Sequence, residues 1–149
     1  MLRVKTEIAP SEIDGIGLFA AEFIPRGSIV WEFTRGFDRQ FTKGAILQLP
    51  SAAHIYLAKY AYKSRKSGRY ILAEDNGKYF NHSSTPNTMS VHADGVPEVV
   101  TYALRDIHIG EEITDDYSSF EDENDSNNLL SEFSERYRLV VSHDGRRRA

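Results

Sequence analysis

Turn signals break this chain into short segments, and that feature restricts its fold more than any other. Pro25-Arg26-Gly27 is one such turn, and the stretch that follows, residues 28–33, is rich in the branched and aromatic residues typical of a strand. Residues 96–104 predict another strand, after a turn at Ala93-Asp94-Gly95. Because most segments are too short for long helices, the sequence predicts a mainly β fold built from several small sheets.

Helical patterns are few. Residues 42–49 predict a short helix that Pro50 interrupts. Residues 129–140 predict a C-terminal helix with Asn128 as its cap, because its apolar residues recur along one side. Those apolar residues are Leu129, Leu130, Phe133 and Tyr137.

The segment at residues 55–62 is ambiguous between helix and strand. Its Tyr60-Ala61-Tyr62 alternation, followed by a turn at Lys66-Ser67-Gly68, favours a hairpin. The second strand of that hairpin would be Tyr70-Ile71-Leu72.

Length and composition limit the classes of protein that this chain can belong to. Its 149 residues predict one domain over 1–149, with a core at about 8–120 and a C-terminal flanking segment at 121–149. The absence of cysteine excludes disulfides, thiolate zinc sites and cysteine nucleophiles from this sequence. The N-terminal stretch lacks the apolar core of a signal peptide, and no apolar run reaches membrane-spanning length. We expect an intracellular protein, cytoplasmic by default, with action in a nucleus or a host cell left open.

Charge is distributed unevenly around a formal net charge of -4. Residues 109–135 contain no Lys, Arg or His and are rich in carboxylates. An acidic surface of this kind disfavours direct binding of nucleic acid and attracts a cationic peptide. The alternative is a solvated acidic loop without a partner.

Three polar segments could carry chemistry, and each also has a purely structural interpretation. Gly15-Ile16-Gly17 lets the backbone approach a ligand, or it forms only a turn. Asn81 and His82 lie among amide and hydroxyl side chains that can also hydrogen-bond to their own backbone. His82 has no second ligand at metal spacing, so no metal site is predicted. The third segment, residues 110–117, ends at Tyr117, which is a functional or a core tyrosine.

Together, the order and spacing of these segments resemble the SET-domain family of protein lysine methyltransferases. The family's GxG segment and following Pro-x-Gly turn are matched here by GIGLFAAEFIPRG. Its RFxNHSCxPN segment is matched by KYFNHSSTPN at residues 78–87, and its GEELTFDY segment by GEEITDDY at residues 110–117. The stretch ALRDIHIGEEI, which begins at Ala103, is also similar. The resemblance covers roughly residues 8–120.

The resemblance implies a fold, a reaction and a partner. The fold is one of several small curved sheets, with a C-terminal segment that threads beneath a loop in a knot-like core and a short C-terminal helix. The reaction is transfer of a methyl group from S-adenosylmethionine to a lysine amine, without a metal. The expected partner is a lysine-containing basic protein or peptide, such as a histone or histone-like protein, and no membrane or nucleic acid. A homodimer that completes the site is left open.

Roles for individual residues follow from the same resemblance. Tyr117 is the expected catalytic residue. The expected cofactor-binding residues are Gly15, Ile16, Gly17, Tyr60, Lys78, Tyr79, Asn81, His82 and Tyr117. The expected walls of the substrate channel are Phe33, Tyr62, Tyr102, Asp115 and Phe120. For each aromatic residue, the alternative is ordinary packing in the core.

The sequence also departs from the family pattern. Asp115 stands where the family usually has Phe or Tyr, at a position that often sets how many methyl groups the lysine receives. Its carboxylate would retain water or bind a cationic amine if it faced the channel, and would do neither if it faced away. Ser84 replaces a usual cysteine, which is a small change. Without flanking zinc clusters, the C-terminal segment would have to close the site, and Phe133 and Tyr137 are expected near adenine.

Two other functions compete with methyl transfer. A non-catalytic SET-like module that binds a peptide or a partner would keep the same fold, and Asp115 favours it. A metal-dependent hydrolase using His82 and carboxylates lacks suitable ligand spacing. Methyl transfer to a lysine peptide would distinguish the first alternative, and metal analysis of the purified protein the second.

Overall fold

The computed structural model describes residues 1–122 and 128–143. Its strands, in chain order, are β1 (Thr6–Pro10), β2 (Ile16–Ala20), β3 (Ile29–Glu32), β4 (Arg39–Phe41), β5 (Tyr62–Lys63), β6 (Tyr70–Leu72), β7 (Asn81–His82), β8 (Thr88–His92), β9 (Val99–Ala103) and β10 (Thr114–Asp115). Its helices are α1 (Lys43–Leu47), α2 (Ser51–Tyr60) and α3 (Leu129–His143). The prediction of a mainly β fold of small sheets with a C-terminal helix is confirmed.

The strands form four small sheets. β1 pairs with β2, β9 lies between β3 and β8, and β6 lies between β4 and β5. These three sheets are antiparallel. The fourth is a parallel pair of β7 and β10, which places Asn81 beside Thr114 and His82 beside Asp115. This parallel pair joins two polar segments that lie far apart in the sequence.

Residues 51–60 form helix α2, so the hairpin prediction is wrong for most of residues 55–62. Pro50 precedes the helix in an extended conformation, and its fixed φ suits the start of a helix. Only Leu57 is fully buried along α2, which explains the weak helical periodicity. The hairpin begins later, where Tyr62 and Lys63 pair with β6.

The short helix α1 forms as predicted. The side chain of Thr42 caps it by accepting a hydrogen bond of 3.2 Å from the backbone N–H of Ala45. Ile46 is completely buried against the other helices. α1 therefore anchors the start of the helical layer.

The C-terminal helix α3 packs against α2. Asn128 caps it, since its Oδ1 accepts a hydrogen bond of 3.0 Å from the backbone N–H of Leu130. The buried residues Leu129, Leu130 and Phe133 join a cluster with Leu57 of α2. The side chain of Tyr137 lies outside the described residues.

A second apolar cluster occupies the centre of the β-sheets. Its members are inaccessible or nearly so, and they are Leu18, Ala20, Ile24, Val30, Ala103, Ile107 and Ile113. A third cluster, formed by Trp31, Ala73, Val99 and Phe120, lies beside the cavity described below. Across residues 1–122 and 128–143, no helix is long and apolar enough to cross a membrane.

Candidate active site

A cavity of about 180 Å³ lies where the end of α2, strand β9, the turn at Asn76–Tyr79 and the segment after β10 meet. Its aromatic walls are Trp31, Tyr60, Tyr62, Phe80, Tyr117 and Phe120. Its charged and hydroxyl-bearing walls include Lys59, Lys78, Ser90, Thr101, Asp115 and Glu121. The cavity is thus a mainly aromatic pocket with polar groups at defined positions.

Tyr117 lies in a 3-10 turn directly after β10. Its hydroxyl donates a hydrogen bond to the backbone carbonyl of Phe80, and its backbone N–H donates one of 3.2 Å to His82 Nδ1. Burial, followed by the nearby carboxylates Glu121 and Asp115, raises the pKa of Tyr117 to about 12. The hydroxyl is therefore protonated at neutral pH and acts as a fixed dipole rather than as a base.

Two buried polar atoms in the described part of the chain lack a hydrogen-bond partner, and both belong to walls of this cavity. They are the indole N–H of Trp31 and the hydroxyl of Tyr62. The Tyr62 ring packs edge-on against Phe120, with centroids 4.8 Å apart, and burial holds the pKa of its hydroxyl well above the usual value. Buried donors without partners are costly, so the cavity is suited to receive a polar ligand.

Asp115 faces the cavity and is only 3% exposed. Its Oδ2 accepts a hydrogen bond from Ser90 Oγ, and its Oδ1 accepts one of 2.8 Å from the backbone N–H of Asp116. Ser90 Oγ in turn lies 2.7 Å from Thr101 Oγ1. Burial raises the pKa of Asp115 to about 6, so its carboxyl group is still largely ionised at neutral pH. Of the two orientations left open by the sequence, the structure shows the one that faces the cavity.

Glu112 ties the turn between β1 and β2 to β7. Its Oε1 accepts hydrogen bonds from Ser11 Oγ, at 2.8 Å, and from Asn81 Nδ2, at 2.9 Å. Asn81 Nδ2 also donates to the carbonyl of Asp14 at 3.0 Å. A Cβ at Gly17 would lie only 2.2 Å from Glu112 Oε1, so the missing side chain there makes room for the carboxylate.

Glu112 is not among the functional residues that the sequence predicts. Its only signal was its place in the GEEITDDY segment, where two glutamates are adjacent. Glu111, the other one, instead pairs with Arg105 at 2.7 Å. Only the folded structure distinguishes the inward glutamate from the outward one.

His82 lies at the exposed edge of the β7–β10 pair. Because its Nδ1 accepts the hydrogen bond from Tyr117, the ring proton of the neutral form is assigned to Nε2. Its Nδ1 also lies 3.8 Å from Asp116 Oδ1. Within the described ranges, no group of three or more His, Asp or Glu side chains could hold a metal ion.

An aromatic group on α2 borders the cavity mouth. Tyr60 packs edge-on against Tyr79, with centroids 5.6 Å apart, and lies 4.9 Å from the ring of Tyr56. The Lys78 ammonium lies 5.8 Å from the Tyr56 centroid and 5.7 Å from that of Tyr79, within cation–π range. A hydrogen bond to Tyr56 raises the pKa of Lys78. Tyr56 was not predicted as a site residue, and its signal was its position one helical turn before Tyr60.

Two predicted channel residues, Phe33 and Tyr102, do not line the cavity. In strand β9, Thr101 faces the cavity, so its neighbour Tyr102 points to the opposite face of the sheet. Phe33 follows the last residue of β3 and packs against the neighbouring apolar cluster, while Trp31 forms the wall. Both residues were misplaced for the same reason. The pairing of strands in the folded protein decides where a strand ends and which of its side chains face the cavity.

The remaining predicted residues fall into three groups. Tyr60, Tyr62, Lys78, Asp115, Tyr117 and Phe120 all line the cavity. A second group does not line it and lies in the turn before β2, in β2, in the turn before β7 and in β7: Gly15, Ile16, Gly17, Tyr79, Asn81 and His82. Phe133 lies in neither place, because it is buried against α2 and stacks on His54 with centroids 4.2 Å apart. Its predicted position near adenine is therefore wrong.

The fold and the cavity define a small β-sheet protein with an aromatic, carboxylate-bearing site next to a parallel strand pair. Residues 15–118 match the family model described as SET domain. That match covers more than half of the chain, and the chain therefore belongs to the SET-domain family. The family prediction from the sequence is confirmed.

Two relatives agree with this assignment, and one solved structure shares the fold. The chain is 28% identical over 134 residues to histone-lysine N-methyltransferase trr of Drosophila melanogaster. The aligned region covers 82% of this chain and 5% of that protein. It is 29% identical over 123 residues to histone-lysine N-methyltransferase SETMAR of Mus musculus, covering 75% of this chain and 40% of that protein. A structure of ctPRC2 in an autoinhibited conformation bound to S-adenosylmethionine is similar with a TM-score of 0.60 and 24% identity, over 91% of this chain and 17% of that one. The chain thus spans less than half the length of these relatives.

Proposed function

We propose that this protein transfers a methyl group from S-adenosylmethionine to the side-chain amine of a lysine in a protein substrate. The observation that carries the proposal is the position of Tyr117, whose protonated hydroxyl is fixed at the wall of an aromatic cavity beside the β7–β10 pair. Membership of the SET-domain family and similarity to histone-lysine N-methyltransferases support it.

The residues around the cavity fit the cofactor. The unpartnered donors of Trp31 and Tyr62 leave polar groups for a ligand to satisfy. The Trp31 indole packs directly against Gly77, since a Cβ at Gly77 would lie only 2.8 Å from Trp31 Nε1. When bound, S-adenosylmethionine supplies an electrophilic methyl group on a cationic sulfur. Lys78, His82 and the backbone of Gly15-Ile16-Gly17 are the groups that we expect to hold its polar ends.

We propose a role for Asn81 that differs from the one that the resemblance implies. Both hydrogens of its side-chain amide are already used, by the Asp14 carbonyl and by Glu112. We therefore expect Asn81 to hold the turn that contains Gly15-Ile16-Gly17 in position. The backbone of that turn would then contact the cofactor. Asn81 is a positioning residue in this scheme.

The aromatic walls would prepare the lysine for reaction. A lysine amine is nucleophilic only when neutral, and the neutral form costs about 4 kcal/mol at neutral pH, given a reference pKa near 10.4. Aromatic faces such as those of Tyr62 and Phe120 attract the cationic form into the cavity. Desolvation there favours loss of the proton, and the Tyr117 hydroxyl and the Phe80 carbonyl are placed to orient the nitrogen.

The substrate in this proposal is a basic protein, with a histone or histone-like protein as the first choice. The names of the relatives support that class. Glu121 and Asp115 in the cavity wall, and Asp116 beside it, provide negative charge for a cationic segment. We also propose that the protein is intracellular and does not bind nucleic acid directly. A homodimer that completes the site is left open.

A binding module without catalysis is the second candidate, and the charge on Asp115 favours it, since a carboxylate stabilises the unreactive ammonium. The deciding experiment combines two measurements. S-adenosylmethionine should raise the melting temperature, because it binds the folded state, and label from its methyl group should pass to purified core histones. Label transfer supports the enzyme, and a raised melting temperature without transfer to histones or whole-cell protein supports the module. An unchanged melting temperature at millimolar cofactor contradicts the enzyme.

A further inference from the structure

A surface groove lies beside the cavity, between two hairpin turns. Its volume is about 260 Å³, and it is lined by Arg65, Lys66, His92, Ala93 and Asp94. The first two residues belong to the turn between β5 and β6, and the other three to the end of β8 and the turn that follows it. Arg65, Lys66 and His92 are exposed. The groove therefore presents basic side chains on a protein whose formal net charge is -4.

Lys66 connects the two turns that form the groove. Its ammonium donates hydrogen bonds of 3.0 Å to the carbonyl of Ala93 and of 2.6 Å to that of Val96. An ammonium has three N–H groups, so one remains for a further acceptor. A side chain held in this way has already lost much of the conformational freedom that ligand binding would otherwise remove. The groove thus contains a positive charge at a fixed position.

Arg65 joins the groove to the wall of the cavity. Its backbone N–H donates a hydrogen bond of 3.1 Å to the carbonyl of Phe120, and its Nη2 donates one of 3.1 Å to the carbonyl of Glu121. Both Phe120 and Glu121 line the cavity. Within the part of the chain that the structure describes, no carboxylate forms an ion pair with Arg65 or Lys66. Two cations with donors to spare therefore lie directly beside the cavity wall.

We propose that this groove binds a side-chain carboxylate of the substrate, and that it thereby selects a target lysine with an acidic residue a few positions away. The link to methyl transfer rests on the proposed function, whereas the binding step stands alone. A segment whose lysine enters the cavity and whose backbone crosses Phe120 and Glu121 reaches Arg65 within about two to five residues, since an extended chain advances about 3.3 Å per residue. Guanidinium and ammonium groups both form charge-assisted hydrogen bonds to a carboxylate.

Asp94 limits the negative charge that the groove can accept. It offsets one of the two cations, so a single positive charge remains when His92 is neutral. A carboxylate neutralises that charge, whereas a phosphate group, with a charge of about -1.5 to -2, leaves an excess of negative charge beside Asp94. The groove therefore favours an aspartate or glutamate over a phosphorylated residue. A protein that is basic overall can contain such a residue near one of its lysines, so the proposal narrows the substrate class.

A peptide scan measures this selectivity. The host is a short fluorescein-labelled peptide of Gly, Ala and Ser with a central lysine, and one Glu is placed at each other position in turn. Fluorescence anisotropy reports binding to the protein, at about 150 mM salt to screen distant charges. We expect Glu at one or two positions, about two to five residues from the lysine on one side, to tighten binding at least about fivefold. Elsewhere Glu should weaken binding, because the cavity wall is acidic. No gain at any position, an equal gain at all of them, or no binding of any peptide overturns the proposal.

Matched variants locate the effect in the groove. Arg65→Gln removes a charge that lines the groove, and we expect it to reduce the gain from Glu to less than about twofold. Arg69→Gln makes the same change on the same exposed turn but outside the groove, and it should keep the full gain. Loss of the gain in Arg69→Gln, or its survival in Arg65→Gln, contradicts a role for the groove. Far-ultraviolet circular dichroism verifies that both variants are folded.

Phosphoserine at the favoured position tests the choice of anion. It should bind no more than about twofold more tightly than Glu, and a larger gain overturns the carboxylate assignment.

Transfer of labelled methyl groups to the same peptides, to core histones and to whole-cell protein separates the two proposals. A positional preference in binding without transfer to any of them contradicts the enzyme and retains the groove. Transfer to peptides without a positional preference in binding contradicts the groove and retains the enzyme.

Discussion

At the scale of single residues, Tyr117 and Asp115 provide the two polar features of the candidate site. They lie two residues apart, one just after β10 and one within it, and both side chains face the same cavity. Burial acts on them in the same direction, because it favours the neutral form of each acid. The outcome at neutral pH differs, since the tyrosine remains protonated while the aspartate is largely ionised.

Replacement of Tyr117 tests whether its hydroxyl orients the amine. Tyr117→Phe keeps the ring contacts with His82 and Phe120 and removes only the hydrogen bond to the Phe80 carbonyl. We expect cofactor binding, measured by calorimetry, to remain within about threefold, and methyl transfer to fall by about a hundredfold or more, as for loss of a positioned polar group. Full transfer activity in this variant would mean that a different residue orients the amine.

The buried charge of Asp115 predicts a pH-dependent effect on stability. Its pKa in the folded protein, about 6, lies above the model value of 3.8, so the folded state binds this proton more tightly than the unfolded state does. The stabilisation is therefore complete at pH values below the unfolded pKa and is lost as the pH rises through about 6. Asp115→Asn should raise the free energy of unfolding at neutral pH by up to about 3 kcal/mol, with the gain vanishing toward acidic pH.

Urea unfolding of Asp115→Asn and wild type across this pH range gives the comparison. Groups common to both proteins cancel in the difference, which isolates the contribution of this carboxyl. A difference that does not change with pH would show that the Asp115 carboxyl has the same proton affinity in the folded and unfolded states.

At the scale of secondary-structure elements, the site depends on how the β1–β2 turn is held against β7. Glu112 makes this connection through Ser11 and Asn81, and Gly17 provides the space. The backbone of the turn is the part that we expect to contact the cofactor. The elements, rather than individual side chains, therefore set the geometry of that contact.

A double-mutant cycle tests this connection. Gly17→Ala should displace the Glu112 carboxylate, and Glu112→Ala should remove it, so both break the same contact. Each should weaken cofactor binding about tenfold or more, and the double variant should be little worse than either single one, because changes at one contact are not additive. Glu111→Ala is the matched control, since Glu111 pairs with Arg105 instead. Additive losses would mean that the two residues act independently.

At the scale of the whole molecule, the packing of α3 against α2 and strand β6 closes a second core. Phe133 is central to it, at 1% exposure, between His54 and the cluster that contains Ile46 and Leu57. α2 also contributes Tyr60 to the cavity wall. Helix α2 therefore contributes to the cavity wall through Tyr60, whereas Phe133 of α3 packs against α2 and does not line the cavity.

Removal of the Phe133 side chain should lower stability more than it affects binding. Phe133→Ala should lower the free energy of unfolding by about 3 to 5 kcal/mol, the usual cost for a buried phenylalanine. Cofactor affinity of the folded fraction should change by less than about threefold, because the ring does not reach the cavity. Calorimetry below the unfolding transition provides the affinity. A large loss of affinity with little loss of stability would restore Phe133 to the cofactor site.

The sequence by itself determined many of the local elements, though not helix α2, and the identity of the family. Turn residues delimit the short strands, Thr42 and Asn128 cap their helices through side-chain oxygens, and the ordered motifs mark the SET-domain family. These features depend on contacts within a few residues along the chain, or on residue types in a fixed order. Both can be read without knowledge of the folded structure.

Tertiary structure alone decided which side chains meet. The parallel pairing of β7 with β10 brings His82 beside Tyr117, and sheet pairing turns Thr101 inward and Tyr102 outward. A one-residue difference in register or strand end reverses the face of every side chain, and local pattern does not resolve it. For the same reason, the sequence left both orientations of Asp115 open. Its burial beside Ser90 and Thr101 results from contacts among three strands that are distant in the chain.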